Sequence, residues 1–425
     1  MREGGLGRAF ASLQFREFRL LFLATIVAHF GEQIQQFANL WQIYTLTGSA
    51  LQLGLTGLAR AIPVIFFSMI GGVLADRLDR KRIIVFAQVG GGFFAVILGV
   101  LSATGLIDVW HIYVATFLSA TLNSAAMPAR RAVIGSVVPR HYLANAFALN
   151  MSVNQLDRII APSLAGILIA LVGLPFTYAI NALSHMITAI SLVPISLGAA
   201  PARSTRSPLR DLAEALAFVR LRSIILVLLG MDVVAMLLAS YRPLLPVIAG
   251  TFDTGPTGFG LLSSAPAVGS LIGATVVMYL GDVPYKGRII VVAVFGYCAA
   301  VVMLGWAPWF WLALVAAAGL GLTDAMGSAT RGTVIQLMTP DALRGRVSAF
   351  QHMLQGGSPA LGQSFMGAAA AAVGYPAALI SGGVVCAAIC LSIVLRRKDV
   401  LDRDIETLAE PAPLGPVSRN PIPAG

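Results

Sequence analysis

Charged residues are scarce in this sequence. Asp, Glu, Lys and Arg together make up 11% of its 425 residues, whereas soluble domains carry roughly 25%. Hydrophobic residues make up 57%, and a soluble chain of this length has no core large enough to bury that much apolar surface. The composition therefore excludes an ordinary soluble domain and indicates that the lipid bilayer is the natural solvent of this chain.

Cysteines and catalytic motifs are also scarce. The three cysteines, Cys298, Cys386 and Cys390, lie in apolar runs, which predicts small buried side chains and neither a disulfide framework nor a zinc site. The sequence contains no Gly-Lys-Ser/Thr phosphate loop, no metalloprotease His pair and no Gly-x-Ser-x-Gly elbow. We therefore expect no enzyme activity, no cofactor and no bound metal. The first apolar run contains His29 and Glu32 and lacks a small-residue cleavage site, so it is not typical of a cleaved signal peptide.

Long apolar runs recur along the whole chain. A helix needs about 20 mostly apolar residues to cross the hydrocarbon core, and twelve runs meet that length. They lie near 18–45, 50–75, 83–104, 109–131, 142–172, 174–198, 223–248, 257–281, 288–305, 308–330, 343–372 and 375–395. The sequence therefore predicts an all-α membrane protein with twelve transmembrane helices.

The basic residues lie on one side of these predicted spans. All but three of the 29 Lys and Arg residues fall at the termini or in the connections after even-numbered spans, and the exceptions are Arg60, Arg158 and Arg242. The positive-inside rule then places both termini and the even-numbered connections in the cytoplasm. The net charge of +10 is thus a topology signal, and we expect no nucleic-acid partner.

The second half of the sequence repeats the first. Arg130, Ser163, Gly166 and Gly173 recur 201 positions later, and Gly54-Leu55 recurs 206 positions later. An even number of spans separates the copies, so the two halves share one orientation in the membrane, as in transporters with parallel repeats.

The repeat sets the expected domain division. We expect six-helix bundles at 1–198 and 223–398, joined by a linker at 199–222. In that linker, Ser207-Pro208 precedes leucines at helical spacing and predicts a short amphipathic helix on the cytoplasmic face. The polar, Pro-rich tail at 399–425 is predicted to be disordered.

Several motifs resemble those of the major facilitator superfamily. The stretch 72–82, Gly-Val-Leu-Ala-Asp-Arg-Leu-Asp-Arg-Lys-Arg, resembles the signature between helices 2 and 3, with Asp79 where a second glycine is usual. The segments 15–21 and 46–50, with Asp79-Arg80, resemble the branch that contains the enterobactin exporter. The stretch 161–166, Ala-Pro-Ser-Leu-Ala-Gly, is similar to the antiporter motif of drug exporters, with alanine in place of its leading glycine.

The resemblance covers roughly residues 13–397 and implies the major facilitator fold, in which helices 1, 4, 7 and 10 line a central cavity. It also implies efflux of a small organic molecule, such as a drug, dye or siderophore-like metabolite, in exchange for protons. The expected partners are the substrate, protons and lipid, and the expected functional unit is a monomer. An importer or uniporter of the same fold is an open alternative, as is a sensor or assembly partner that transports nothing.

Polar residues within the spans are candidates for proton coupling, because such residues usually face the protein interior or water rather than lipid. Glu32 lies near the middle of the first span on a stripe of polar side chains, with His29 one turn away. A carboxyl group there can bind and release a proton, so we expect Glu32 to couple protons, with His29 and then Asp157 as further candidates. Permanent hydrogen bonds around Glu32, or a fixed ion pair at Asp157, are structural alternatives.

Other polar residues are predicted to line the cavity or to gate it. Arg60 could bind an anionic substrate or pair with Glu32 or Asp157. The cavity candidates are Gln36, Asn39, Arg60, Asn123, Asn154, Asp232, Asp324 and Gln355. Charge pairs near the basic connections are predicted to close the cytoplasmic side. The gate candidates are Asp76, Arg77, Arg80, Arg130, Asp282 and Arg331.

Overall fold

A computed structural model describes residues 10–77, 79–195, 208–281, 285–397 and 401. Within them the chain forms twelve long helices. The first four are α1 (Arg16–Thr47), α2 (Ala50–Arg77), α3 (Arg80–Thr104) and α4 (Val109–Val137). The continuous segment Leu143–Leu192 contains α5 and α6, which meet at Gly173. The remaining helices are α7 (Ser223–Thr251), α8 (Gly255–Leu280), α9 (Lys286–Trp306), α10 (Phe310–Met338), α11 (Asp341–Val373) and α12 (Tyr375–Arg396).

Two equivalent glycines make the sharpest turns between helices. Gly173 joins α5 to α6 with φ of 80°, and Gly374 joins α11 to α12 with φ of 83°. This left-handed conformation strains any side chain with a Cβ atom, so glycine is favoured there. Pro175 and Pro376 follow two positions later, near the start of the next helix, where a missing N–H costs nothing. The repeat seen in the sequence therefore extends to the turns.

The twelve-span prediction is confirmed. Eight helices among the described residues are long and apolar enough to cross a membrane by length and hydropathy, with Arg140–Leu192 counted once although it holds two spans. The other three, α1, α4 and α11, are less apolar because they carry polar side chains. Polar residues within a span face protein or water, so lower hydropathy is expected of helices around a cavity.

Helix packing follows the same repeat. In the first bundle α1 packs against the segment that holds α5 and α6, α3 packs against that segment and α4, and α2 packs against α4. In the second bundle α7 packs against α11, α9 packs against α10 and α12, and α8 packs against α10. The bundles meet through two equivalent pairs, α2 with α11 and α5 with α8. The molecule thus consists of two parallel six-helix bundles.

The connections lie on two sides of this structure. We call the side on which α2, α4, α8 and α10 end the basic side, because lysine and arginine cluster near these helix ends in the sequence. The other ends of the helices form the opposite side.

A separate helix, Pro208–Leu221, lies in the predicted linker and packs against α11. Its Val219 side chain is buried, and Glu214 forms an ion pair with Arg346. Residues 199–207 of the linker lie outside the described residues, as does the predicted disordered tail apart from Leu401. The domain boundaries stay predictions.

Candidate transport site

Small residues join the two bundles on the opposite side. A Cβ atom on Gly54 of α2 would lie 2.9 Å from the Cα atom of Gly367 in α11, and one on Gly166 of α5 would lie 3.1 Å from that of Gly260 in α8. A Cβ atom at any of these four positions would also lie within 2.8 Å of a backbone carbonyl oxygen of the facing helix. Real Cβ atoms almost never come that close, so the four positions require glycine at this helix separation. The two pairs are equivalent in the repeat, since Gly54 matches Gly260 and Gly166 matches Gly367. We call these four glycines the glycine closure.

Hydrogen bonds reinforce the glycine closure. The Ser163 backbone N–H donates to Ser264 Oγ at 3.1 Å, and the two hydroxyl oxygens are 2.8 Å apart. On the other helix pair, Ser364 Oγ donates to the Gly54 carbonyl oxygen at 2.9 Å. Aromatic rings of α1 and α8 also meet, with Trp41 and Phe259 stacked at a centroid distance of 5.7 Å. The bundles are therefore firmly joined at the opposite side in this state.

His29 and Asp157, two predicted proton-coupling residues, contact each other at hydrogen-bond distance between α1 and α5. His29 Nδ1 lies 3.2 Å from Asp157 Oδ2. The Asp157 residue is only 3% exposed, and its Oδ1 atom has no hydrogen-bond partner among the described residues. The sequence predicted both residues separately but not their contact. The pair links two helices through a group that can gain or lose a proton.

Glu32, the first predicted proton-coupling residue, is half-buried on α1. Within the described ranges it makes no hydrogen bond or ion pair, although it interacts electrostatically with Arg130 and His185. Arg130 itself donates a hydrogen bond to Asn123 Oδ1 at 2.9 Å. A predicted gate residue and a predicted cavity residue are thus direct partners within the first bundle.

The polar stripe of α1 mostly bonds within the first bundle. Asn39 is buried and donates to Thr116 Oγ1 of α4 at 3.2 Å, while Gln42 accepts from Ser102 Oγ of α3 at 3.0 Å. Gln35 is also buried and accepts a hydrogen bond from Asn181 of α6. Much of this stripe therefore holds helices together rather than facing the space between the bundles.

His185 and Gln88 form a buried polar contact that the sequence pattern did not predict. His185 of α6 is buried, and its Nδ1 atom lies 2.6 Å from Gln88 Oε1 of α3. Its ring occupies the space left by Gly91, where a Cβ atom would come within 2.7 Å of the ring. In the sequence, the available sign of this pair is that a histidine and a glutamine each lie in an apolar run. That the two residues meet is evident from the structure.

The second bundle contains a buried ion pair. Arg331 of α10, a predicted gate residue, donates to Asp232 of α7, a predicted cavity residue, with 2.7 Å between Nη2 and Oδ1. Arg331 is 3% exposed. A buried charge without a partner is strongly destabilising. Arg331 and Asp232 therefore depend on each other, and their contact joins α7 to α10. Asp324 of the same helix is half-buried and interacts electrostatically with Arg331.

The other predicted site residues are distributed as follows. Asn154 is exposed and donates to the Asn150 carbonyl oxygen at 3.0 Å. Gln36, Gln355 and Arg80 are half-buried, and Arg60 is exposed. The side chains of Asp76 and Arg77, and the whole of Asp282, lie outside the described residues. Their gating role stays a prediction.

Comparison with known families gives the class of this protein. A family model described as transmembrane secretion effector matches residues 7–415. The chain belongs to this family. It is therefore a multi-pass membrane transporter of the major facilitator type and not an enzyme, as the sequence motifs implied.

Curated relatives of this transporter are exporters. It is 28% identical over 388 residues to the enterobactin exporter EntS of Citrobacter koseri, covering 89% of this chain and 91% of that protein. It is 27% identical over 358 residues to EntS of Escherichia coli O1:K1, covering 82% and 84%.

Solved structures share its fold. A bacterial homologue of the human lysosomal transporter Spinster has a TM-score of 0.69 at 14% identity, covering 91% of this chain and 97% of that one. A D-xylose–proton symporter has a TM-score of 0.67 at 12% identity, covering 93% and 99%. The major facilitator fold predicted from the sequence is confirmed.

Proposed function

We propose that this transporter exports a small organic molecule, of the siderophore-like or drug-like class, across the plasma membrane in exchange for protons. The observation that carries the proposal is the glycine closure at one side, with the half-buried titratable residues His29 and Glu32 between it and the basic side along α1. A carrier that works by alternating access needs one closed side and a solvent-accessible site in each state. The proposed functional unit is a monomer in the lipid bilayer, and its proposed partners are a small-molecule substrate and protons.

The direction rests on two observations. The basic side faces the cytoplasm under the positive-inside rule, with both termini on that side. The glycine closure then shuts the external side, and an exporter loads substrate from the cytoplasm in such a state. The curated relatives are named as enterobactin exporters, which favours outward transport and a siderophore-like metabolite over import.

Proton coupling is assigned to Glu32 and to the pair formed by His29 and Asp157. Glu32 has no hydrogen-bond partner in the described part of the chain. A change in the charge of Glu32 therefore changes its electrostatic interaction with Arg130 without breaking a hydrogen bond. Asp157 has one oxygen bonded to His29 and one without a partner. Protonation at this pair changes a contact between α1 and α5, and α5 also carries Gly166 of the closure. The proton thus acts on a helix that must move when the closure opens.

The gate is proposed on the cytoplasmic side. Asp76, Arg77 and Arg80 flank the connection between α2 and α3 in the sequence, and Asp282 follows α8 in the sequence. We propose that charge pairs form between these connections when the bundles rock and the external side opens. Arg130 and Arg331 are partnered inside their bundles in the present state, which supports positions next to such a gate rather than within it.

Substitution of the two carboxylates tests the proposal. The substrate is first found by comparing compounds retained by deletion and overexpressing cells. It is then assayed in proteoliposomes with an imposed pH gradient. Glu32→Gln and Asp157→Asn keep the shape of each side chain but cannot titrate, so each should allow exchange of substrate while losing uphill transport. Asp341→Asn is the matched control, because Asp341 is exposed on the basic side and, among the described residues, its ion pair is with Arg344 one turn away.

The outcomes separate the roles. Normal uphill transport and an unchanged pH profile in Glu32→Gln would move the coupling role to Asp157. The same result in both variants would contradict proton coupling through these groups. A loss of folded protein in Asp157→Asn, without loss of coupling in what remains, would make its ion pair structural.

A further inference from the structure

Three arginines converge between the bundles. Arg60 belongs to α2, Arg158 to α5 and Arg242 to the short turn that interrupts α7. All three side chains are exposed to solvent. Arg158 interacts electrostatically with both of the others. Two of these cations therefore come from the first bundle and one comes from the second.

These arginines lie just beneath the glycine closure. At 1.5 Å per residue, Arg60 lies about 9 Å along α2 from Gly54, and Arg158 lies about 12 Å along α5 from Gly166, both toward the basic side. Arg242 lies deep among protein groups, close to Tyr241 and Tyr297, yet its side chain remains exposed. The turn that holds Arg242 contacts both α2 and α11, so this arginine lies where the two bundles face each other.

The protein supplies too few carboxylates to neutralise the cluster. In the part of the chain that the structure describes, none of the three arginines has an ion-pair partner within 4.0 Å. Asp157 is bonded to His29 and Asp232 to Arg331. Among the described residues, Asp157 also interacts with Arg158, and Asp324 interacts with Arg158, Arg242 and Arg331. Two carboxylates, each shared with another partner, therefore stand against three arginines. The cluster of three arginines therefore carries an excess of positive charge.

Unneutralised charge at membrane depth is costly and usually marks a substrate pathway. Guanidinium groups are fork-shaped donors that bind carboxylate and similar anionic oxygens in pairs of hydrogen bonds. We infer that Arg60, Arg158 and Arg242 form the binding site for an organic anion with at least two negatively charged oxygen groups. An anion bound across the bundles would fill the charge deficit left by the protein. This inference rests on the proposed function, and it names the chemical class of the exported molecule.

Binding of small tripodal probes to the purified full-length protein tests the inference. Benzene-1,3,5-tricarboxylate is the anionic probe, 1,3,5-tris(hydroxymethyl)benzene is the neutral probe and 1,3,5-tris(aminomethyl)benzene is the cationic probe. Titration calorimetry in detergent should show tricarboxylate binding that weakens with added salt, because the contacts are ionic. The neutral and cationic probes should bind at least tenfold more weakly.

Substitutions locate the site. Arg60→Gln, Arg158→Gln and Arg242→Gln should each weaken tricarboxylate binding by roughly 10–150-fold, the loss expected for one charge-assisted hydrogen bond. Arg158→Lys keeps the charge and should retain more affinity than Arg158→Gln, which separates charge from folding. Arg82→Gln is the matched control and should bind as the wild type does, because Arg82 is exposed on the basic side beside Asp79.

Each result bears on the inference. Equal binding of the three probes, no tricarboxylate binding, or normal affinity in all three glutamine variants would overturn it. The assay contains no membrane gradient, so its result is independent of proton coupling. Tricarboxylate binding with no pH-driven efflux would contradict the proposed function alone, whereas proton-driven export with selective binding of the cationic probe would overturn only the anion site.

Discussion

Replacement of one glycine in the closure should change the conformation of the transporter. A Cβ atom on Gly367 would lie 2.7 Å from the Ala50 carbonyl oxygen, 2.7 Å from the Gly54 Cα atom and 3.0 Å from the Gly54 nitrogen. All three are backbone atoms and cannot rotate away, so Gly367→Ala must separate α2 from α11. Overpacking of this kind costs about 1–3 kcal/mol. The state in which the glycine closure is formed should lose population by roughly 5–150-fold relative to the state in which it is open.

Distance measurements between the two helix ends can detect this shift. Leu51 of α2 and Val373 of α11 are exposed near the closure, and spin labels on cysteines at these positions should report a longer separation in Gly367→Ala. The three native cysteines are buried, which limits unwanted labelling. Substrate turnover should fall as well, since the carrier no longer returns easily to the state in which the glycine closure is formed.

The matched control is Gly135→Ala. A Cβ atom on Gly135 would meet nothing within 4 Å, and alanine favours a helix over glycine by about 1 kcal/mol. This variant should keep both the distance and the turnover of the wild type. An unchanged distance distribution in Gly367→Ala, with normal transport, would refute the argument that the glycine closure holds the bundles together.

Three further predictions follow from the charges. Arg331→Gln should lower the free energy of unfolding by about 3–5 kcal/mol, because it leaves Asp232 buried without its partner. Replacing both residues with leucine should recover much of this loss, and thermal unfolding measures both effects. A reporter fused after Asp399 should be cytoplasmic and one inserted near Asp253 should be external, and one on the wrong side would reverse the assigned orientation. If the substrate is an anion, an inside-negative membrane potential should drive it outward by about 2.3 kcal/mol per charge per 100 mV, so collapsing the potential with valinomycin and potassium should slow efflux from cells at constant pH.

Features that repeat along the sequence could be predicted well. Span lengths fixed the number of helices, and the spacing of Gly173 and Gly374 placed equivalent turns in both halves. The offsets also matched Gly54 with Gly260 and Gly166 with Gly367. What the offsets could not give is that each glycine meets the non-equivalent one across the bundles, because that contact depends on how the two halves are docked.

Side-chain partners were the part that the sequence could not supply. Helical spacing placed Asn39 and Gln42 on one stripe, but neighbouring helices on either side of α1 compete for that stripe. In the structure, Asn39 bonds to α4 and Gln42 bonds to α3. In the same way, Asp232 and Arg331 are distant in sequence and were assigned different roles, although they form one buried pair. Polar residues in a span indicate positions that face either the protein interior or water. Which of the two applies depends on how the helices are arranged.

The central claim is that protons and substrate move in opposite directions through this transporter. Proteoliposomes that contain a pH-sensitive dye, loaded with substrate and diluted into substrate-free buffer at the same pH, test it directly, with a potassium and valinomycin clamp on the membrane potential. As substrate leaves, exchange predicts that the lumen becomes more acidic, and that Glu32→Gln reduces this acidification. Acidification that is absent, or a lumen that becomes more alkaline as substrate leaves, would contradict the account.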